Sequence, residues 1–584
     1  MKNSPFKELP LFIPHSHTST AVNKTGSWRF FHPIYDDKTA PCSAACPLGQ
    51  DIAGIEMLLS RGLLKDARRL VLNENPFPAV CGRVCFHPCE KACNRTNLDA
   101  PIAIHNLERF LGDTALSPVE MPDIAIKAAR NKRVAIAGAG PAGLSAAYFL
   151  TRLGYRCEVF EANAAPGGLL RLGIPEYRLP RDILDHEIKR IENLGVTIRC
   201  KNPVTKDLLE KICQDYDALF IGSGYGRSIA LKIDGGHLAY DGLEFLRRLH
   251  LGEKMSFAGK AVVLGGGNTA IDVARCLARL GASPLIVYRR RIQDMPAFEP
   301  EVEMALREGV EIKELLAPIR LQRNQSESSF AASSYTLNLQ QMKISKNQIH
   351  GRARIMPDGE KTETIKVENV FVAIGAEADA LWHFPATDTA GAFSLSHCKF
   401  IDRKIPLVFG GDLTNPVDSV ADAIASGKQA AMVLDTYFEK GPAAVDNALA
   451  ACRIGPGPAL SMNAYLGENR QTRNPHVVTY NEIVTDYFQT APRVTPSLLD
   501  ANRRLESFAE IESTLADQAA KEEAARCFSC GNCNACDYCR LYCPEMAVRV
   551  EKGRRSIDMD YCKGCGVCAT ECPRNAMALE EEIK

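Results

Sequence analysis

The chain has 584 residues, with 70 Lys and Arg against 70 Asp and Glu. The resulting zero formal charge argues against a general nucleic-acid binder or a polybasic membrane adsorber. At about 150 residues per domain the length suggests roughly three to five domains. No apolar run approaches the ~18 residues of a membrane span, and the Pro-broken N-terminus has no apolar signal core, so a cytoplasmic chain is expected.

Residues 1–40 read as an irregular arm in which His15 and His17 are ordinary arm residues. Residues 41–125 read as a helical domain that carries the first cysteine group. Within it, IEMLLSRGLLKDARRLV (55–71) has apolar positions at the three- and four-residue spacing of an amphipathic helix. From about 126 to 440, short apolar runs alternate with helical patterns, the signature of parallel α/β folding. In the first strand-turn-helix Gly138, Gly140 and Gly143 follow RVAIA in G-x-G-x-x-G spacing, and Glu161 closes the next strand. The glycines permit a tight turn, backbone approach to a pyrophosphate and helix–sheet packing, while the carboxylate suits a ribose hydroxyl.

A second such unit begins at AVVLGGG. Gly265 and Gly267 take the first two glycine positions, Asn268 and Thr269 open the helix, and Ala270 replaces the third glycine. The following strand ends in Tyr288-Arg289-Arg290-Arg291. Arginines there suit a 2′-phosphate, so the reading leans to NADPH with NADH open. The expected layout is a flavin domain at 126–254 and 366–440, interrupted by an NAD(P)H domain at 255–365. LFIGSGYG (219–226) and VFVAIGA (370–376, with Gly375) look like strands returning to the flavin domain. No C-x-x-C pair adjoins either nucleotide motif, which weighs against a dithiol mechanism. Residues 441–520 carry no legible chemistry and are read as a linker and a partner or dimer surface.

Sixteen of the 22 cysteines lie in two terminal groups, Cys42–Cys93 and Cys527–Cys572; Cys157, Cys200, Cys213, Cys276, Cys398 and Cys452 are scattered. Such clustering in a long chain without an export signal points to metal rather than disulfides. At 521–584, Cys533-x2-Cys536-x2-Cys539-x3-Cys543-Pro is followed by Cys562-x2-Cys565-x2-Cys568-x3-Cys572-Pro. This is the bacterial two-cluster ferredoxin pattern, in which each fourth cysteine ligates the other cluster. One cluster would take Cys533, Cys536, Cys539 and Cys572, and the other Cys562, Cys565, Cys568 and Cys543. Two matched runs ending in Cys-Pro leave little room for zinc.

The N-terminal group, APCSAACPLGQDI and NPFPAVCGRVCFHPCEKACNRT, resembles the iron–sulfur domain of the glutamate synthase small subunit and dihydropyrimidine dehydrogenase. The opening Cys-x2-Cys of that family is absent, and its counterpart stands at 523–531 with Cys527 and Cys530. The resemblance implies one cluster on Cys42, Cys93, Cys527 and Cys530, and a second on Cys46, Cys85, Cys89 and Glu108, with Cys81 as the rival fourth ligand. With the ferredoxin pair that makes four [4Fe–4S] clusters. VFGGDLTNPVDSVADAIASGKQAA (408–431) resembles the closing motif of two-dinucleotide-domain flavin reductases. That likeness places Gly411 and Asp412 on the flavin pyrophosphate and ribityl. Gly168, Gly173, Ile174 and Pro175 resemble the segment beside the flavin ring.

The set implies an electron circuit. Nicotinamide delivers hydride, clusters take single electrons, and FAD converts between the two. No catalytic His, Ser or carboxylate pair is required. The extended layout is similar to NAD(P)H:acceptor oxidoreductase subunits serving dissimilatory sulfite reductase, ferredoxin or a 2-oxoacid oxidoreductase. A glutamate synthase-like NADPH-oxidising subunit is the alternative of a different class, and a cluster-storage protein a third. A homodimer is compatible with the sequence. The partner, the direction of flow and the oligomeric state are not legible.

Overall fold

The computed structural model describes residues 22–114, 124–324, 334–349, 352–379, 393–394, 399–401, 405–414, 419–468, 470, 473–551 and 553–582. His15, His17 and Cys398 lie outside them. The chain divides into a larger unit of residues 41–472 and 491–527 and a smaller one of residues 1–40, 473–490 and 528–584.

The larger unit opens with short helices at Pro41–Ala45, Ile52–Ser60, Leu64–Glu74, Pro78–Val84, Pro88–Lys91 and Ile104–Asp113. The amphipathic run at 55–71 is therefore two helices rather than one. Gly62, at φ +71°, turns the chain between them, a conformation that costs glycine little. Helices 78–84 and 104–113 cross at backbone contact. A Cβ on Gly82 would lie 2.4 Å from Arg109 N, and one on Gly112 2.5 Å from Ala79 N. The carboxylate of Glu187, on helix Arg181–Asn193, accepts from Ala79 N and Val80 N at 2.9 and 3.1 Å. It thereby caps the start of helix 78–84, where the helix dipole favours an anion.

Two sheets follow. The first runs, in spatial order, Phe393–Ser394, Lys399–Ile401, Leu407–Phe409, Ala218–Ile221, Arg133–Ala137, Arg156–Phe160 and Thr197–Arg199, its five strands from Leu407–Phe409 to Thr197–Arg199 being parallel. The second is parallel throughout: Glu311–Glu314, Ser283–Tyr288, Lys260–Leu264, Asn369–Val372 and Tyr240–Asp241. Alternation along Lys260–Leu264 divides its core. Ala261 and Val263, with Phe371 of the neighbouring strand, pack with the helix residues Phe245 and Ile271, whereas Val262 and Leu264 pack with Leu321, Leu337 and Ile365. The latter three belong to a three-stranded antiparallel sheet of Leu316–Arg323, Tyr335–Ile349 and Arg352–Val367.

This arrangement corrects the expectation for 370–376. Val370 and Phe371 pair with Val262 and Val263 in the second sheet, not in the first, and Tyr240–Asp241 joins them there. An apolar strand buried on both faces satisfies either sheet equally, so its composition does not specify its partner. Ala218–Ile221 does lie in the first sheet, as expected.

The expected linker also contributes internal structure. Ser461 Oγ, Met462 N and Asn463 N bond the buried Glu74 carboxylate, which pairs with Lys428 Nζ at 2.6 Å. Residues 497–513 fold back on themselves through Leu499 N→Ile511 O and Ser513 N→Ser497 O. Glu510 and Glu512 of this turn reach Arg83 and Arg109, while Ile511 N bonds Tyr177 O.

In the smaller unit the arm is not irregular throughout. Phe31–Tyr35 pairs antiparallel with Met577–Glu581, and Arg29 binds Glu582 through two bonds of 2.6 and 2.8 Å. Val548–Glu551 and Arg554–Ile557 form a second antiparallel pair.

Candidate nucleotide and iron–sulfur sites

In the first dinucleotide turn the three glycines have different reasons to be glycine. Gly138 has φ +98°, and a Cβ there would lie 2.6 Å from Gly222 O. A Cβ on Gly143 would lie 1.9 Å from Gly138 O. Gly140 has φ −78°, and its Cβ would meet nothing nearer than Gly168 Cα at 4.0 Å. Nothing in the protein demands glycine at 140. The open space before helix Pro141–Arg152, with that helix's free N–H groups, fits a pyrophosphate.

Glu161, Gly168 and Gly411 gather around this turn. Glu161 is buried, its Oε2 accepting from Ala139 N at 2.8 Å and its Oε1 from Asn163 N at 2.8 Å. Asn163 Nδ2 also donates to Oε1 at 2.7 Å, so the carboxylate is fixed and Oε2 keeps one lone pair for a ribose hydroxyl. Gly168, at φ +54°, abuts Gly140, and a Cβ on Gly411 would lie 3.2 Å from Ala142 Cβ. Asp412 Oδ2 would stand 3.6 Å from a Cβ on Gly224. Gly173 and Ile174 turn back on Leu169 O, and Ile174 O and Leu170 O are held by Arg181 at 2.8 and 2.7 Å. Pro175 O accepts from Arg178 N. Gly375, at φ +124°, instead lies at the short strand pair with Arg227–Ser228, where its carbonyl accepts from Ile229 N.

The second turn repeats the logic. A Cβ on Gly265 would lie 2.2 Å from Ala373 O, but one on Gly267 would meet nothing within 4 Å. Asn268 and Thr269 begin helix Asn268–Arg279, and Asn268 Oδ1 accepts from Phe298 N at 2.9 Å. Arg291 is engaged bidentately by Asp294 at 2.7 and 2.9 Å. Arg289 is exposed at the strand end, and the half-buried Arg290 has a buried Nε without a hydrogen-bond partner among the described residues.

In the helical domain one cavity is lined by Cys46, Cys81, Cys85, Cys89 and Glu108. Glu108 Oε1 accepts from Gln50 Nε2 at 2.6 Å and Asn75 Nδ2 at 2.8 Å. Burial pushes this carboxyl up to about 7 and the Cys46 thiol up to about 11, and raises Cys85 and Cys89 as well. Such thiols ionise readily only against a compensating cation, and three thiolates with a braced carboxylate are a donor set that fits cluster iron. Gln50 and Asn75 stand within the quoted cysteine segments, but amide residues between cysteines carry no ligand signal of their own. Both are placed by tertiary folding.

Cys42 is buried on the same domain. The residue before Cys527 is fastened to the Cys93–Ala103 region. Arg526 O accepts from Arg95 Nη1 at 2.6 Å, and Arg526 Nη2 binds Asp99 at 3.0 Å. Glu523 Oε1 accepts from Ala103 N at 2.8 Å. The segment holding Cys527 thus folds against the N-terminal helical domain. Cys530 belongs to the smaller unit.

The smaller unit has two cysteine-lined cavities. One is lined by Cys533, Cys536, Cys539 and Cys572, and the other by Cys543, Cys562, Cys565 and Cys568. Each cavity thus brings the fourth cysteine of one run beside the first three of the other. The two runs repeat locally: Cys543 Sγ accepts from Ala547 N, and Cys572 Sγ from Ala576 N, each at 3.3 Å. Left-handed backbone recurs at Ala535 and Gly564, at Asp537 and Gly566, and at Met546 and Asn575. Turns of this kind direct successive N–H groups inward, which suits sulfide and thiolate acceptors. Tyr35 of the arm brings its hydroxyl to 3.6 Å from Cys539 Sγ.

Three family descriptions match the chain: dihydropyrimidine dehydrogenase domain II, 4Fe-4S cluster, at residues 35–119; pyridine nucleotide-disulphide oxidoreductase at 132–381; and 4Fe-4S binding domain at 555–578. The NADP(+)-dependent formate dehydrogenase subunit beta of Moorella thermoacetica is 33% identical over 84% of this chain and 70% of its own length. The NADPH-Fe(3+) oxidoreductase subunit beta of Geobacter sulfurreducens is 31% identical over 85% and 76%. The NAD-dependent dihydropyrimidine dehydrogenase subunit PreT of Escherichia coli is 32% identical over 68% and 91%.

The chain belongs to this family of iron–sulfur pyridine-nucleotide oxidoreductases. It is an NAD(P)H-dependent iron–sulfur flavoprotein, with an N-terminal iron–sulfur domain, FAD/NAD(P) Rossmann-type domains and a C-terminal ferredoxin motif. These three relatives are each named as a subunit. A dissimilatory sulfite reductase or glutamate synthase link finds no support in these matches. Among the described residues no helix is long and apolar enough to cross a membrane.

Proposed function

We propose that this chain is the NAD(P)H-reacting subunit of a redox complex, exchanging electrons with a separate redox protein through [4Fe–4S] clusters. The reading rests above all on the two cavities, each lined by four cysteines, in a chain that also carries two dinucleotide turns. Gly138, Gly140, Gly143, Glu161, Gly411 and Asp412 would hold FAD, with Gly168 and Gly173–Pro175 beside its ring. Gly265, Gly267, Asn268 and Thr269 would hold the nicotinamide nucleotide. Arg289 and Arg290 favour a 2′-phosphate and hence NADPH, because Arg291 is already paired.

FAD, when bound, supplies the conversion between hydride and single electrons. The chain's own part is to orient the two nucleotides, exclude water and hold cluster ligands of set polarity. We assign Cys46, Cys85, Cys89 and Glu108 to one cluster, Cys42, Cys93 and Cys527 to another, and the two cavity sets to the ferredoxin clusters. Subunit relatives support a protein partner rather than a second organic substrate.

The test is anaerobic purification with iron, sulfide and flavin measured in one sample. About sixteen iron and sulfide per FAD are expected, together with flavin bleaching by NADPH. About eight iron would overturn the N-terminal cluster assignments. Flavin untouched by either nicotinamide nucleotide would overturn the reading itself.

A further inference from the structure

His87 lies between two cysteines of the N-terminal cavity and is part of its lining, together with His105. Its backbone is left-handed at φ +51°, ψ +50°, unfavourable for a side chain with a Cβ. Its Nε2 is buried and has no hydrogen-bond partner among the described residues. An orphaned buried imidazole nitrogen is costly, and the strained loop adds to that cost. Native structures retain such combinations where another group completes them.

The ring is held on two sides. His105 stacks on it at 3.8 Å with a 10° interplanar angle, and Phe298 meets it edge-on at 5.5 Å. His105 is itself fixed by Glu90, whose Oε1 takes His105 N at 3.0 Å and Nδ1 at 2.7 Å. Arg493 Nη2 binds the other Glu90 oxygen at 2.7 Å. Ligand atoms of His87, Glu90 and His105 fall within 4.8 Å of one another, as in a divalent-cation site. Both Glu90 oxygens are committed, however, and two parallel stacked imidazoles do not converge on one ion. The triad is a brace for the His87 ring.

We propose that His87 donates a hydrogen bond from Nε2–H to the cluster held by Cys46, Cys85 and Cys89, and thereby sets that cluster's potential. This rests on the ligand assignment above. A donor aimed at cluster sulfur stabilises the reduced, more negative state, so its loss lowers the potential. His87 makes no iron bond.

The experiment is an EPR-monitored redox titration of the full chain, purified anaerobically, with the relevant signal identified as the one lost in Cys85→Ser. At the potential where the wild-type cluster is half reduced, His87→Phe should lower its reduced-to-oxidised ratio about tenfold. His87→Gln, which keeps an N–H donor, should recover part of that loss. The ferredoxin-cluster signals should not move. An unchanged ratio in His87→Phe overturns the proposal and leaves the ligand assignment intact. Loss of the signal with about four iron from both His87 variants makes His87 a ligand and also overturns it. A wild type with no signal sensitive to Cys85→Ser overturns the assignment and the proposal together.

Discussion

Gly140 and Gly143 lie three residues apart in one turn, yet their replacement by alanine should have opposite consequences. Gly140 has an extended backbone any residue adopts, and its Cβ would meet nothing nearer than 4.0 Å. Alanine costs about 0.5–1 kcal/mol as a poorer helix N-cap, and the stiffer unfolded chain offsets about 0.4–1 kcal/mol. The flavin-free Gly140→Ala protein should therefore match wild type to within about 0.5 kcal/mol. The methyl group would occupy the space proposed for the pyrophosphate, so flavin should be lost. At Gly143 the methyl carbon would lie 1.9 Å from Gly138 O. Overpacking of about 1–3 kcal/mol or more then opposes about 1 kcal/mol of helix propensity, and the protein itself should be destabilised. Thermal unfolding with and without FAD separates the cases. FAD at a hundredfold above its Kd stabilises a competent site by about 2.7 kcal/mol. Wild type should show that rise and Gly140→Ala almost none of it. Retention of full flavin by Gly140→Ala, or equal destabilisation of both flavin-free variants, would refute the reasoning.

Cys572→Ser should remove about four iron from the cluster of Cys533, Cys536 and Cys539 and spare that of Cys562, Cys565 and Cys568; the reverse loss in EPR would refute the crossed pairing. Lys428→Met strands the buried Glu74 charge and should cost about 3–5 kcal/mol, measured by urea unfolding. Lys428→Met with Glu74→Gln should recover much of it, and additive losses would show the two groups to be uncoupled. For Glu308, burial works to raise the carboxyl, but bonds from Arg275 and Arg279 outweigh it and hold it at about 2. A depressed folded-state value means stability present above the usual carboxylate range and lost as pH falls from about 4.5 to about 2. The loss should be roughly 3 kcal/mol, and Glu308→Gln should flatten that part of the urea midpoint profile.

The cysteine runs, the glycine-rich turns and the parallel α/β pattern were legible because each is a local code. A ligand turn or a phosphate-binding turn needs its residues at fixed short spacings, and the chain supplies them within a dozen positions. The same locality let Cys572 be assigned across to Cys533 from a repeated pattern. Glu108 needed more than spacing: its carboxylate faces the cysteines only because Gly82 and Gly112 let two helices touch at their backbones.

What lacked a local code was decided by tertiary structure. Asn369–Val372 is apolar on both faces and fits the middle of either sheet, so only the folded arrangement places it beside Lys260–Leu264. Phe31–Tyr35, containing a proline and polar residues, becomes a strand because Met577–Glu581 offers an edge more than 540 residues away. The turn of residues 497–513 has no motif, yet it joins Arg83 and Arg109 to the backbone of Tyr177. The same holds for His87, an unremarkable residue in sequence. Its strained backbone, its stacked partner and its unpartnered nitrogen arise only when helix Ile104–Asp113 and Phe298 close around it. Sequence spacing determines which atoms can bind a cofactor; long-range packing, whose contacts leave no period in the chain, determines the environment in which they do so.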